Sequence, residues 1–80
     1  MIKNKSILIT GGCGFVGTNL AIYLKKELKN FSVYSVDSLK KTYSNFNLNI
    51  LKKNKIINFR IDICSEKYLK IKRKFDFIIY

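Results

Sequence analysis

The segment Thr10-Gly11-Gly12-Cys13-Gly14-Phe15-Val16-Gly17 holds all four glycines of the 80-residue chain. Gly11, Gly14 and Gly17 give GxxGxxG, and Gly12, Gly14 and Gly17 also fit GxGxxG. Glycines at these intervals do three jobs around a phosphate. One permits a turn closed to other residues, one lets backbone come up against a pyrophosphate, and one lets a helix pack closely on a strand. The pyrophosphate then lies at the helix N-terminus, where free N–H groups and the helix dipole favour anions. The backbone N–H groups of Phe15 and Val16 are the donors this spacing points to. No GK[ST] ending follows, so the segment is not a mononucleotide P-loop.

Asp37 lies 20 residues beyond Gly17. At that distance a carboxylate can accept hydrogen bonds from the hydroxyls of an adenine ribose. It also repels a 2′-phosphate, which favours NAD over NADP, although Lys40 and Lys41 soften the repulsion. Asp62-Ile63 is a second candidate pair: the acid could meet the adenine amino group while the isoleucine packs on the ring. A thiol at a helix N-terminus can ionise easily, but Cys13 is read here as a small space-filler. Cys13 and Cys64 stand 51 positions apart in a chain with no histidine, too few soft ligands for zinc. No metal site is assigned, both cysteines are read as reduced thiols of a cytoplasmic protein, and no residue is assigned a catalytic role.

The elements that must position these residues follow from the apolar pattern. Ser6–Thr10 (SILIT), stopped by glycines, predicts a buried strand. Val16, Leu20, Tyr23, Leu24 and Leu28 recur at helical spacing and predict a helix from about Phe15 to Leu28. Lys25, Lys26 and Lys29 crowd its last turn, where cations complement the dipole. Phe31–Val36 (FSVYSV) predicts a second strand ending at Asp37. A polar loop over Ser38–Asn45 leads to an asparagine-rich short helix, Phe46–Lys53. Ile56–Ile61 predicts a third strand. Ser65 is placed to cap a helix over Glu66–Lys74, and Phe75–Tyr80 (FDFIIY) predicts a fourth strand. The order is β-α-β-α-β-α-β. Strands separated by helices imply parallel pairing and right-handed crossovers, with cover on both faces of the sheet. The expected fold is therefore α/β, the N-terminal half of a Rossmann-type doubly wound parallel sheet. The whole chain, 1–80, is expected to be a partial NAD(P)-binding domain truncated at its C-terminal end.

Composition narrows the alternatives. Hydrophobic residues make up 48%, too many for a disordered tail. No apolar run approaches the roughly 18–20 residues of a membrane span, and the N-terminus lacks a signal-peptide layout. The formal charge of +11 invites a nucleic-acid reading. However, 14 of the 16 basic residues are lysines scattered along the chain, whereas phosphate clamping and base readout favour arginine. Lys, Asn and Ile fill 34 of 80 positions, so the lysines are read as a compositional bias on solvated faces. No specific nucleic-acid partner and no membrane partner are expected.

ILITGGCGFVGTNL resembles the opening of the extended short-chain dehydrogenase/reductase superfamily, the NAD-dependent nucleotide-sugar epimerases and dehydratases. VDSL at 36–39 is similar to that family's V-D-N-L, RIDI at 60–63 to its G-D-I/L, and FDFIIY to the strand leading into its H-x-A-A-like segment. Asn47, Leu48 and Leu51 also resemble an N-L-x-x-L pattern of CDP-paratose (CDP-tyvelose) 2-epimerases. Ser38 replaces the family's usual Asn, and Ile61 stands where a glycine often precedes the adenine-contacting acid. The resemblance implies cofactor contacts from Gly11, Gly14, Phe15, Val16, Gly17, Asp37, Ser38, Asp62 and Ile63. It implies a nucleotide-sugar substrate, transient hydride transfer to NAD, and a homodimer in the intact enzyme. The family's catalytic Tyr-x-x-x-Lys and Ser/Thr are expected past the equivalent of Tyr80, so these 80 residues alone are expected to be inactive. Two rival readings are a catalytically silent dinucleotide-binding module and a small basic nucleic-acid-binding protein.

Overall fold

Alternating side chains of the first strand point to opposite faces of a sheet, and both faces are covered. The computed structural model of the protein describes residues 4–41 and 43–80. Its elements are β1 (Lys5–Thr10), α1 (Phe15–Glu27), β2 (Phe31–Val36), α2 (Ser44–Lys53), β3 (Ile57–Phe59), α3 (Glu66–Lys72) and β4 (Phe77–Ile79). The strands form one parallel four-stranded sheet in the order β3-β2-β1-β4. Ile7, Ile9 and Val33 face α1 and α2, packing with Cys13, Ala21, Leu51 and Ile56. Leu8 and Val36 face the other way, onto Tyr68 of α3. This two-sided burial is the α/β, doubly wound arrangement expected from the sequence.

The outer strands are shorter than the sequence predicts. β3 keeps Ile57–Phe59 of the expected 56–61, and β4 keeps Phe77–Ile79 of 75–80. Each is an edge with one neighbour. The ladder on β3 runs only from Ile57 opposite Tyr34 to Phe59 opposite Val36. On either side the backbone turns to other partners: Ile56 N–H donates to Leu51 C=O at 2.9 Å, and Ile61 N–H to Phe59 C=O at 2.9 Å. Asp76 fixes β4 against β1, accepting Ser6 N–H at 2.7 Å through Oδ2. The backbone bond from Ser6 holds the Asp76 carboxyl below the usual carboxylate range.

Three local expectations are corrected. Val16 and Tyr23, predicted on the apolar stripe of α1, are 74% and 61% exposed. The face that meets the sheet carries Thr18 and Ala21, with Leu20, Leu24 and Leu28 of the predicted stripe packed against the same core. Tyr23 is turned about 200° from Ala21 at roughly 100° per residue. Ser65 occupies the N-cap position of α3, but its hydroxyl makes no cap bond and is buried without a partner among the described residues. α2 starts at Ser44 rather than Phe46, with Ser44 buried. Thr42, within the predicted loop, lies outside the described residues.

Candidate functional site

β1 is followed in space by β2 and then β3 on one side, while β4 lies on its other side. The chain thus changes direction across the sheet between β1 and β4. In open α/β sheets a crevice forms at such a switch point, beyond the carboxyl ends of the strands. The glycine segment leaves β1 at this place.

The sequence assigns jobs to the glycines, and the geometry distributes them. Gly11 has φ of +68°, the left-handed turn that admits the loop. A Cβ at Gly17 would collide with the carbonyl of Gly11, and one at Gly12 would collide with Ser35 on β2. The start of α1 can therefore lie against the end of β1 only because these side chains are absent. Gly14 is the N-cap of α1 and offers no side-chain cap. The first N–H groups of the helix, those of Phe15 and Val16, have no intrahelical acceptor by construction. Phe15 and Val16 are 78% and 74% exposed, so the helix start presents both these backbone donors and apolar side chains to the crevice.

Asp37 stands beside this loop. Its Oδ2 accepts Cys13 N–H at 3.1 Å, and its Oδ1 accepts Leu39 N–H at 2.8 Å. The acid that the sequence places at the end of β2 is thus fixed in orientation by the glycine loop itself. Each carboxylate oxygen accepts one of these bonds and keeps a further acceptor site.

Two contiguous hollows share Gly11. One, of about 480 Å³, is bounded by Gly11, Gly14 and Gly17 on the loop side and by Tyr43 and Tyr80 across it. The other, of about 150 Å³, is bounded by Asp37, Ser38, Asp62 and Ile63. All nine sequence-derived candidates line one or the other. Asp62 and Ile63 sit at the open end. Asp62 Oδ1 accepts Cys64 N–H at 2.9 Å, and Oδ2 pairs with Lys40 Nζ at 3.1 Å. These contacts hold the Asp62 carboxyl below the usual range, the Cys64 bond more than Lys40. Lys40, expected to soften the charge of Asp37, is instead paired with Asp62.

Cys13 is fully buried. Burial first, and the nearby Asp37 charge second, push its thiol up to about 11, against the opposing effect of Ser35. It fills space, as the sequence reading has it, and is no nucleophile at neutral pH. Among the described residues no group of three or more acidic or Cys side chains could hold a metal ion, and no helix is long and apolar enough to cross a membrane.

Sequence reasoning misses two side chains that hold the loop. Thr18 Oγ1 donates to Gly12 C=O at 2.8 Å, and Asn47 Nδ2 donates to Cys13 C=O at 2.8 Å. The available signal for Asn47 is an asparagine inside a helix, which local propensity disfavours and a long-range bond explains. The expectation that no tyrosine has a lysine four residues on is also corrected: Tyr68 and Lys72 have that spacing. Tyr68 is 4% exposed and donates its hydroxyl to Tyr80 Oη at 3.0 Å. Burial first and Tyr80 second push it up to about 12, opposite to what a tyrosinate base requires. The pair has no catalytic role in this geometry.

Sheet order, two-sided cover and the loop at the switch point define the N-terminal half of a Rossmann-like α/β fold. The chain matches the NAD dependent epimerase/dehydratase family over residues 7–80. It belongs to that family. A 4,6-dehydratase of dTDP-D-glucose from Dictyostelium discoideum is 54% identical over 35 residues, which are 44% of this chain and 8% of that protein. The ADP-L-glycero-D-manno-heptose-6-epimerase of Helicobacter pylori superposes with a TM-score of 0.75 at 32% identity, covering 95% of this chain and 26% of that one. The UDP-glucuronic acid 4-epimerase of Bacillus cereus, solved in complex with UDP-glucuronic acid and NAD, superposes at 0.76 with 27% identity, covering 91% and 24%. The chain thus spans about a quarter of the length of the two solved structures.

Proposed function

We propose that the chain is the NAD-binding N-terminal part of a nucleotide-sugar epimerase or dehydratase. The observation that carries the reading is the bond from Cys13 N–H to Asp37 Oδ2. It joins the anion-binding loop and the ribose acid into one surface at the switch point, so a dinucleotide can meet both at once. The donor set fits such a group: uncapped helix N–H groups suit a pyrophosphate, and a carboxylate with acceptor sites to spare suits a ribose diol. When bound, the dinucleotide supplies reversible hydride acceptance. In this proposal the chain's own residues bind and orient. Phe15 and Val16 N–H hold the pyrophosphate, Gly11 and Gly14 bring backbone up to it, Gly17 lets α1 start against the loop, and Asp37 takes the ribose hydroxyls. Ser38, Asp62 and Ile63 flank the adenine end.

NAD is proposed over NADP because a carboxylate at Asp37 would repel a 2′-phosphate and Lys40 is engaged with Asp62. The finer assignment, to CDP-paratose 2-epimerases, rests on the succession GGCGFVGTNL, VDSLKK, NFNLNIL and FDFIIY, with the Asn47, Leu48 and Leu51 pattern as its most specific part. In this structure Asn47 bonds the loop, while Leu48 and Leu51 pack the core, so the pattern describes how α2 docks. A cytoplasmic, homodimeric parent enzyme completes the proposal. Calorimetric titration tests it. The chain should bind NAD saturably, bind NADP roughly tenfold or more weakly through like-charge repulsion, and lose NAD binding in Asp37→Ala. Absence of binding to either dinucleotide would refute the reading. No residue here is placed as a proton-transfer base, so the purified chain should not turn over any nucleotide sugar. Measured turnover would contradict that.

A further inference from the structure

A second concavity shares no lining residue with the crevice. It is a groove of about 640 Å³ formed where α2 meets β3, the edge strand of the sheet. Its apolar lining is Leu39, Leu48, Ile56 and Ile57, and three cations, Lys52, Lys55 and Arg60, stand around it. All three are exposed, and none has a carboxylate partner among the described residues. Among the described residues Leu39 and Lys55 are the two non-glycine residues with left-handed backbone, at φ of 62° and 61°; both line this groove, and Lys55 closes the C-terminus of α2, where Ile56 N–H donates to Leu51 C=O. Ile57 is 57% exposed. β3 has β2 on one side only, so its other edge presents unpaired N–H and C=O groups.

We propose that this groove docks an extended, acidic segment of a partner protein. The segment adds a strand to the free edge of β3 and seats its aliphatic side chains on Leu39, Leu48 and Ile57. Its carboxylates meet Lys52, Lys55 and Arg60. This is strand addition, in which backbone pairing gives affinity and alternate side chains give specificity. Charge selects the occupant. A second copy of this chain would bring another net +11 to a cationic rim, and lysines beside an edge strand deter like chains from pairing. A nucleic acid would meet the cations, but no aromatic side chain lines the groove for bases to stack on.

The test uses the full chain and a fluorescein-labelled octapeptide of alternating Glu and Val, followed by anisotropy at physiological salt. The expected result is saturable binding, weakened roughly tenfold or more in a Lys52→Glu/Arg60→Glu variant whose circular dichroism is unchanged. A peptide N-methylated on alternate amides, which cannot pair with β3, should bind comparably weakly when methylated on the pairing side. This second probe leaves the protein untouched and so does not depend on a variant folding. Equal binding by an all-Glu octapeptide would reduce the effect to bulk charge and overturn the proposal. Equal or tighter binding by an oligothymidylate would overturn it in favour of nucleic acid, and a dimer in sedimentation equilibrium that competes with the peptide for the groove would overturn it in favour of self-pairing. No binding by any probe overturns it as well.

Discussion

The two ends of the crevice are built differently. At the loop end, Cys13 and Thr18 are buried, the carbonyls of Gly12 and Cys13 are each held by a side chain, and Cys13 N–H is held by Asp37. At the far end, Asp62 is held by an exposed lysine and by a turn of its own backbone, with Ile63 46% exposed. One end is fixed by close backbone approach inside the core. The other is a pair of strand-end side chains in water. The contrast teaches that the loop end is a part of the fold, so damage there costs stability as well as ligand. Damage at the far end should cost ligand alone.

Substitutions can break this contrast. The largest effect is expected from Gly17→Ala, whose Cβ would strike the Gly11 carbonyl. Backbone cannot yield there cheaply, and overpacking of this kind costs about 1–3 kcal/mol. For a chain this small that is a large share of total stability, so chemical denaturation should show a strongly lowered midpoint or no cooperative transition. Asp37→Ala comes next. It leaves the N–H of fully buried Cys13 without its acceptor, a loss of about 1–3 kcal/mol, together with loss of dinucleotide binding. Asn47→Ala frees the Cys13 carbonyl and should lower stability by about 1 kcal/mol in urea, with NAD affinity reduced and its preference over NADP kept. Asp62→Asn is smallest: the urea midpoint should be unchanged at neutral pH, because an exposed ion pair contributes little, while affinity for adenine dinucleotides falls. A midpoint shift in Asp62→Asn as large as that in Asp37→Ala would erase the distinction between the two ends.

Acid sharpens the same comparison. Asp62 and Asp76 both titrate below their ordinary range, held down first by backbone N–H bonds from Cys64 and Ser6; the bond to Asp62 is a local turn at the exposed end and adds little to stability, so the acid response is carried by Asp76, which ties β4 to β1. Carboxyls with lowered folded values stabilise the fold above their unfolded pKa of about 3.9. That contribution is lost as pH falls through the folded values. Thermal midpoints should therefore be level from neutral pH down to about 5 and drop below about 4. In Asp76→Asn, which unpins β4 from Ser6, the drop should be shallower than in the parent.

The sequence makes the loop end legible because backbone geometry demands a residue type. Only glycine fits where Gly17 meets Gly11, the left-handed turn at Gly11 favours glycine, and the spacing announces both. Sheet order and two-sided cover follow from the alternation of apolar runs with helices, since parallel strands need crossovers. What is hidden depends on partners far apart in sequence. Asn47 reads as a weak helix residue until its bond to Cys13, 34 positions away, is seen. Lys40 reads as a neighbour of Asp37, but the return of the chain after β3 gives it Asp62. Ser65 has the right type and position for a cap, yet its hydroxyl is buried with no partner among the described residues. The Tyr68–Lys72 spacing has the pattern of a proton-transfer pair and none of its environment.

The central claim is that the glycine loop and Asp37 act as one surface for NAD. An ¹⁵N–¹H correlation spectrum of the chain, titrated with NAD, tests it most directly. Saturable shifts should concentrate in the amides of residues 11–17 and 37–38 and be absent in Asp37→Ala. Shifts spread over the lysine-bearing surface, or centred on the groove at residues 52–60, would contradict it and mark the binding as charge alone.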